Sequence, residues 1–216
     1  MKSIFNPEGP VVRLLSYIAE LMALNLCFLL CSVPVFTLGA SVTALYGALF
    51  LREGGGAFRR FFREFRRNFR QGTLLGLILG AAGVILMLDY QLLGQMEGYA
   101  LIKYILYLAG LCWLGVAATA FGLTARYEDK LGRTLKNALL LSFSALSRTV
   151  LIVAIDALPL VLLLLAPDFF GRSFILWLLL GFALCAQLKV WVLKDIFSLI
   201  PGQAEPQDRG SAGRLK

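Results

Sequence analysis

Three ionisable side chains interrupt long apolar stretches of this sequence, and they are the residues best suited to chemistry. Glu20, Asp156 and Lys189 each lie within an apolar stretch, at depths of roughly 6 to 10 Å if each helical residue rises about 1.5 Å. A charge at that depth in a bilayer is costly unless it is paired or hydrated. Their similar depth predicts a polar cluster in which Lys189 pairs with one carboxylate. The predicted cluster comprises Glu20, Asn25, Asp156, Gln187 and Lys189.

A second interpretation keeps these side chains apart. The long side chain of Lys189 would then reach the membrane surface, and Glu20 would lie at the interface. If the cluster does form, it either joins helices structurally or provides a polar path for a transported solute. Pro159 follows Asp156 in the same stretch and can kink that helix by removing a backbone hydrogen bond.

The sequence lacks the residue types and motifs of common enzyme active sites. The sequence contains no histidine, which removes Ser-His and Cys-His nucleophile systems and HExxH zinc sites. It also contains no phosphate-binding P-loop and no nucleophile elbow. The four cysteines lie in apolar stretches and are typical of small buried hydrophobic side chains. We therefore predict no enzymatic activity, no cofactor and no metal site.

Residues 57–71 carry a second pattern, in which phenylalanines alternate with arginines. Wound as a helix at about 100° per residue, the segment places its phenylalanines within roughly 100° and its arginines within roughly 120° on the other side. This predicts an amphipathic helix in the plane of an anionic membrane surface, with its rings toward lipid. The residues of this predicted lipid-surface helix are Phe58, Arg59, Arg60, Phe61, Phe62, Arg63, Phe65, Arg66, Arg67, Phe69 and Arg70.

The overall composition identifies a membrane protein. Of the 216 residues, 59% are hydrophobic and 16% are charged, whereas soluble domains have about 45–50% and about 25%. The apolar stretches predict six spans. They cover residues 14–36, 37–52, 72–93, 101–125, 149–166 and 173–193. A second interfacial helix is predicted at 130–146, and the polar tail 201–216 is predicted to be disordered. The fold class is therefore all-α, a polytopic helical bundle within residues 1–200.

The distribution of basic residues orients these spans. With both termini inside the cell, all but two of the 21 Lys and Arg residues lie on the cytoplasmic side, and Lys103 and Arg172 lie outside. The positive-inside rule therefore predicts cytoplasmic termini. In an alternative, residues 37–52 form a re-entrant or interfacial segment and the N-terminus moves outside. Although the net charge is +8, the charges adjoin apolar spans, so anionic lipid is the expected partner rather than nucleic acid.

Small residues predict where helices approach each other closely. Glycines 72, 76 and 80 recur every four residues, as do alanines 40, 44 and 48. Such ladders allow backbone contact between helices in lipid. Packing inside the bundle is the simpler interpretation, and a homodimer seam is the alternative. We expect no cleavable signal, because no small-residue cleavage site follows the first apolar stretch.

Three stretches of the sequence have a distinctive pattern: residues 24–46 (LNLCFLLCSVPVFTLGASVTALY), residues 61–71 (FFREFRRNFRQ), and residues 126–128 (RYE) followed by 134–141 (TLKNALLL). In their order and spacing, these stretches resemble the YesL-like family of small bacterial membrane proteins. The chain departs from the family pattern at Glu20, where an aspartate is expected, and at Ser147, where a proline is expected. The tail after about residue 200 lies outside the resemblance.

The resemblance implies a multi-pass protein of the bacterial cytoplasmic membrane with an uncharacterised function. Members of that family often accompany carbohydrate uptake systems. This implies an accessory or regulatory component that contacts subunits of an ABC-type sugar transporter. A permease-like subunit with its own polar path is the alternative. The resemblance supplies no catalytic residues, and nothing in the sequence indicates a homo-oligomer.

Overall fold

The structure is a computed structural model, and it describes residues 9–51, 56–94, 100–127 and 129–197. Within these ranges the chain forms helices and no strands, which confirms the predicted all-α class. The helices are α1 (Pro10–Ser32), α2 (Leu38–Phe50), α3 (Ala57–Gly94), α4 (Ala100–Arg126), α5 (Leu131–Ser144), α6 (Leu146–Leu165), α7 (Pro167–Leu176) and α8 (Phe182–Phe197). A 3-10 turn (Val35–Thr37) precedes α2, and a π-helical turn (Trp177–Gly181) joins α7 to α8. The predicted disordered tail 201–216 lies outside the described residues.

Five helical segments among the described residues are long and apolar enough to cross a membrane. They are Pro10–Ser32, Ala57–Leu93, Leu101–Arg126, Leu146–Leu165 and Pro167–Phe197. The last of these comprises α7, the π-helical turn and α8 as one continuous segment. It begins before the predicted span 173–193, and α6 begins before the predicted span 149–166. The segments agree with the prediction of a polytopic membrane protein.

The helix α2 is three residues shorter than the span predicted at 37–52. Its 13 residues extend about 20 Å, less than the roughly 30 Å of a hydrocarbon core. The helix is enclosed by α1, α3, α4 and α8, and all but three of its residues are buried. The buried hydroxyls of Ser41 and Thr43 donate to the carbonyls of Thr37 and Gly39. We conclude that α2 is the core helix of the bundle.

Glycine residues allow α2 and α3 to touch through their backbones. A Cβ atom added to Gly39 would lie 2.3 Å from the carbonyl oxygen of Gly72 and 2.7 Å from the Cα atom of Gly76. Toward the other end of α2, Gly47 faces the side chain of Glu64, so the two helices run antiparallel. The predicted ladder therefore packs inside the bundle at its first two glycines. A Cβ atom added to Gly80 would meet nothing within 4 Å.

The surface helix predicted at 57–71 and the span predicted at 72–93 form one helix, so the predicted boundary was wrong. The helix α3 contains 38 residues and is about 57 Å long, nearly twice the thickness of the hydrocarbon core. Gly72, the residue most able to interrupt it, is held by contact with Ala40 and Thr43 of α2. Residues 57–71 therefore continue, without a break, the helix that contains the apolar stretch 72–93. The interfacial helix predicted at 130–146 corresponds to α5.

Polar and aromatic contacts define one end of the bundle. Glu20 of α1 pairs with Arg60 near the start of α3. Gly39, just after the turn that follows α1, contacts Gly72 farther along α3, so α1 and α3 run in parallel. At the same end, the rings of Phe50 and Phe197 pack together. We call this the basic end. It includes Arg59, Arg60, Arg63, Arg66, Arg67, Arg70, Arg126, Lys130, Arg133, Lys136, Arg148 and Lys194. Because α1 runs parallel to α3, the start of α1 lies at the basic end.

We predict that Gly39→Ala destabilises the bundle. The added methyl group would overlap backbone atoms of α3, and relieving the overlap requires α2 to move away from α3. The expected loss is roughly 1–3 kcal/mol, measured as a lower unfolding temperature in detergent. Gly80→Ala adds the same methyl group in open space and serves as the control. Equal unfolding temperatures for the two variants would contradict the backbone contact.

Candidate functional site

The structure brings Asp156 and Lys189 together between α6 and α8. The Nζ atom of Lys189 donates a hydrogen bond to Oδ1 of Asp156 at 2.5 Å. The same two helices are also connected at the basic end, where Arg148 donates to the backbone carbonyl of Asp195 at 3.0 Å. The Lys189 ammonium lies 5.4 Å from the ring centroid of Tyr46 on α2, within cation–π range. Lys189 therefore has a carboxylate and an aromatic partner, and its side chain is largely buried.

This ion pair lines a cavity of about 180 Å³ between α1, α2, α6, the π-helical turn and α8. The remaining lining residues are apolar or aromatic. They are Phe28, Val42, Leu45, Tyr46, Ile155, Pro159, Trp177, Phe182, Cys185 and Ala186. The side chain of Asp156 is 43% exposed and that of Lys189 only 12%. The carboxylate therefore lies at the rim of the cavity, and the ammonium group lies farther inside the bundle.

Asn25 makes a separate contact that supports this cavity. Its Nδ2 atom donates to the carbonyl of Leu178 at 2.6 Å, and its Oδ1 atom accepts from the backbone N–H of Ala183 at 2.8 Å. A π-helical turn changes the usual pairing of backbone groups, so a side chain that bonds two of them stabilises the irregularity. Asn25 thereby positions the segment that carries Trp177 and Phe182 at the cavity wall.

The predicted five-residue cluster is divided in the structure. Glu20 does not approach Lys189 and instead pairs with Arg60, at 2.6 Å between Oε1 and Nη2. Sequence reasoning missed Arg60 as its partner because that arginine was placed on a surface helix, away from the spans. Gln187 lies on α8, and its buried Oε1 atom has no hydrogen-bond partner in the structure as described.

Polar side chains are also buried along one face of α3 at the basic end. Arg60, Glu64 and Asn68 follow at intervals of four residues and are at most 5% exposed. An oxygen of Glu64 lies 2.6 Å from Nη2 of Arg67, and this Nη2 also donates to the carbonyl of Ala125 on α4. These contacts integrate the start of α3 into the bundle.

The outer side of the same segment carries two exposed stripes. The Arg stripe has a spacing of four, three and four residues, which places its members on one helix face. It consists of Arg59, Arg63, Arg66 and Arg70. The neighbouring Phe stripe consists of Phe58, Phe62 and Phe69, all exposed. Phe61, in contrast, is fully buried, so the bundle contacts one edge of the predicted aromatic face.

One part of the chain matches a known family model. Residues 21–90 match the model of a family described as "Protein of unknown function, DUF624". The match covers about a third of the chain, including the second half of α1, all of α2 and most of α3. No curated protein and no solved structure matches the chain.

We predict energetic coupling between Glu20 and Arg60 and none between Glu20 and Lys189. The carboxylate contacts Arg60, whereas Lys189 bonds to Asp156. In a double-mutant cycle, E20Q and R60Q should give an interaction energy of roughly 0.5–3 kcal/mol. The measurement is the unfolding free energy in detergent. The cycle of E20Q with K189Q is the control and should be additive. Coupling in that second cycle would place Glu20 in the cluster with Lys189.

Proposed function

We propose that the protein is a non-enzymatic accessory component of the bacterial cytoplasmic membrane, with both termini in the cytoplasm. In this proposal it docks through its basic end onto subunits of an ABC-type carbohydrate uptake system. The main support is the pair of exposed stripes on residues 57–71. The carbohydrate connection comes from the resemblance to the YesL-like family, and two of the stretches that carry this resemblance fall within the matched residues 21–90.

The length of α3 supports docking at the membrane boundary. A helix of about 57 Å extends beyond a hydrocarbon core of roughly 30 Å, so one end of α3 lies outside that core. The basic end is assigned to the cytoplasm because it holds most of the Lys and Arg residues, whereas Lys103 and Arg172 belong to other parts of the chain. The two stripes would then lie where the inner leaflet meets the cytoplasm.

The two stripes are suited to different contacts. Exposed apolar side chains rimmed by charge are typical of protein or membrane contact sites, and the Phe stripe matches this description. The Arg stripe can bind the phosphates of anionic lipids. A transporter subunit in the same membrane offers an apolar surface beside those lipids. The Phe stripe can then contact the subunit while the Arg stripe contacts the adjacent lipids.

We predict that F58A/F62A abolishes co-purification with the uptake system. The double change removes two exposed rings of the Phe stripe and leaves the buried Phe61 in place. Tagged protein is extracted from native membranes in mild detergent, and the partners are identified by mass spectrometry. Wild type should recover permease or ATPase subunits, and F58A/F62A should not.

The matched control for docking is F169A/F174A. It removes two exposed phenylalanines from α7, outside the Phe stripe, and should leave recovery unchanged. Equal loss of transporter subunits from both variants, or wild-type protein that purifies alone, would contradict docking through the Phe stripe.

We predict that R59Q/R66Q reduces the retention of anionic lipid. Each arginine on the Arg stripe contributes about 1 kcal/mol of attraction to an anionic surface at low ionic strength, and salt screens this attraction. Phosphatidylglycerol retained by the full-length protein is quantified after purification at low and high salt. K103Q/R172Q removes the same charge outside the basic end and should retain wild-type levels. Unchanged retention in R59Q/R66Q would exclude the Arg stripe as the lipid contact.

A transporter-like subunit with its own polar path is the second candidate. The Asp156–Lys189 pair at the rim of a cavity favours it, because paired ionisable groups in spanning helices often mark solute or ion pathways. Wild-type protein in liposomes should then accumulate a labelled sugar, and D156N/K189Q should not. If wild type moves no labelled sugar and purifies with transporter subunits, the accessory function is favoured.

A further inference from the structure

The carboxylate of Asp156 lies in apolar surroundings, and the protein satisfies only part of its hydrogen-bonding capacity. Its side chain is 43% exposed, and the one side-chain partner that the structure gives it is Lys189. The exposed residues one and two turns farther along the same face of α6, Leu160 and Leu163, are apolar. Hydrocarbon cannot hydrogen-bond to an exposed carboxylate, and leaving it unsatisfied is costly. A polar group from outside the protein would remove this cost.

The cavity next to Asp156 is shaped for a molecule with one polar and one apolar part. Its wall is apolar or aromatic except at the Asp156–Lys189 pair. Two lining residues, Asp156 and Phe182, are exposed on the outside of the bundle, so the cavity can be reached from the bilayer. Apolar walls with a few well-placed polar groups are typical of ligand sites, and here the polar groups favour an amphiphile.

The charges of the pair limit the polar part of that amphiphile. The pair has no net charge, but its carboxylate is at the rim and its ammonium group lies deeper. A purely anionic head group would be repelled by Asp156, and a purely cationic one by Lys189. A zwitterionic head group can place its cation on the carboxylate and its anion near Lys189, which is the complementary arrangement. A primary ammonium also donates charge-assisted hydrogen bonds to a carboxylate.

We propose that this cavity binds the head group of phosphatidylethanolamine from the inner leaflet. Lys189 is about two helical turns from the end of α8 at the basic end, so the site lies in the cytoplasmic half of the bundle. The ammonium of the lipid bonds to Asp156, and its phosphate lies toward Lys189. The site shares no residue with the Arg and Phe stripes, so it does not rest on docking, although its assignment to the inner leaflet rests on the proposed cytoplasmic orientation of the basic end.

Lipids that differ only in the head group test this proposal on the unaltered full-length protein. Phosphatidylethanolamine and its N-methyl, N,N-dimethyl and N,N,N-trimethyl forms, with identical acyl chains, are titrated into protein in detergent. Binding is measured by native mass spectrometry and by the rise in unfolding temperature. Affinity should fall as N–H donors are lost, by roughly 10- to 100-fold across the series, and phosphatidylglycerol should bind weakly. Equal affinity across the series, or preferred phosphatidylglycerol, would overturn the proposal.

The variant Asp156→Asn tests the position of the site. It should greatly reduce the preference for phosphatidylethanolamine over its trimethyl form, because a hydrogen bond from the lipid ammonium to a neutral amide oxygen lacks the charge assistance of one to a carboxylate. Asp195→Asn is the matched control, since Asp195 also lies near a basic residue, Arg148, but does not line the cavity. Asp195→Asn should keep the preference. A preference that persists undiminished in Asp156→Asn would place the lipid elsewhere, and the methylation series decides the outcome if that variant fails to fold.

Discussion

Direct backbone contact between α2 and α3 is the constraint on which the other interactions depend. A single methyl group on Gly39 would overlap Gly72 and Gly76, so the spacing of these helices leaves no room for a side chain. Because α1, α4 and α8 also pack on α2, the position of α2 determines where Tyr46 meets Lys189. The shortness of α2 is compatible with the membrane because this helix is enclosed by others.

Polar contacts then align the helices around α2. Glu20 and Arg60 connect α1 with α3, whereas Lys189 connects α8 with Asp156 on α6. Asn25 connects α1 with the π-helical turn. Buried ion pairs add little net stability because desolvation opposes their attraction. In a bundle whose apolar surfaces are alike, however, such contacts distinguish one helix arrangement from another.

The two candidate surfaces differ in the contacts they can make. The Arg and Phe stripes are broad, exposed and carry charge of one sign, which suits a membrane boundary and a neighbouring protein. The cavity at Asp156 is small, largely apolar and contains both signs of charge, which suits one amphiphilic molecule. The docking proposal and the lipid proposal therefore concern different residues and different measurements.

The sequence by itself determined the all-α class, the long apolar helices, the basic segment 57–71 and the small residues at helix contacts. These properties follow from residue type and spacing along one helix, which hydropathy and periodicity report directly. Only the tertiary structure decided that α3 is continuous, that α2 is the core helix, and that Glu20 pairs with Arg60. Those features depend on the relative positions of helices far apart in the chain. A pattern along one helix shows that a charge needs a partner, but it does not show which neighbouring helix supplies one.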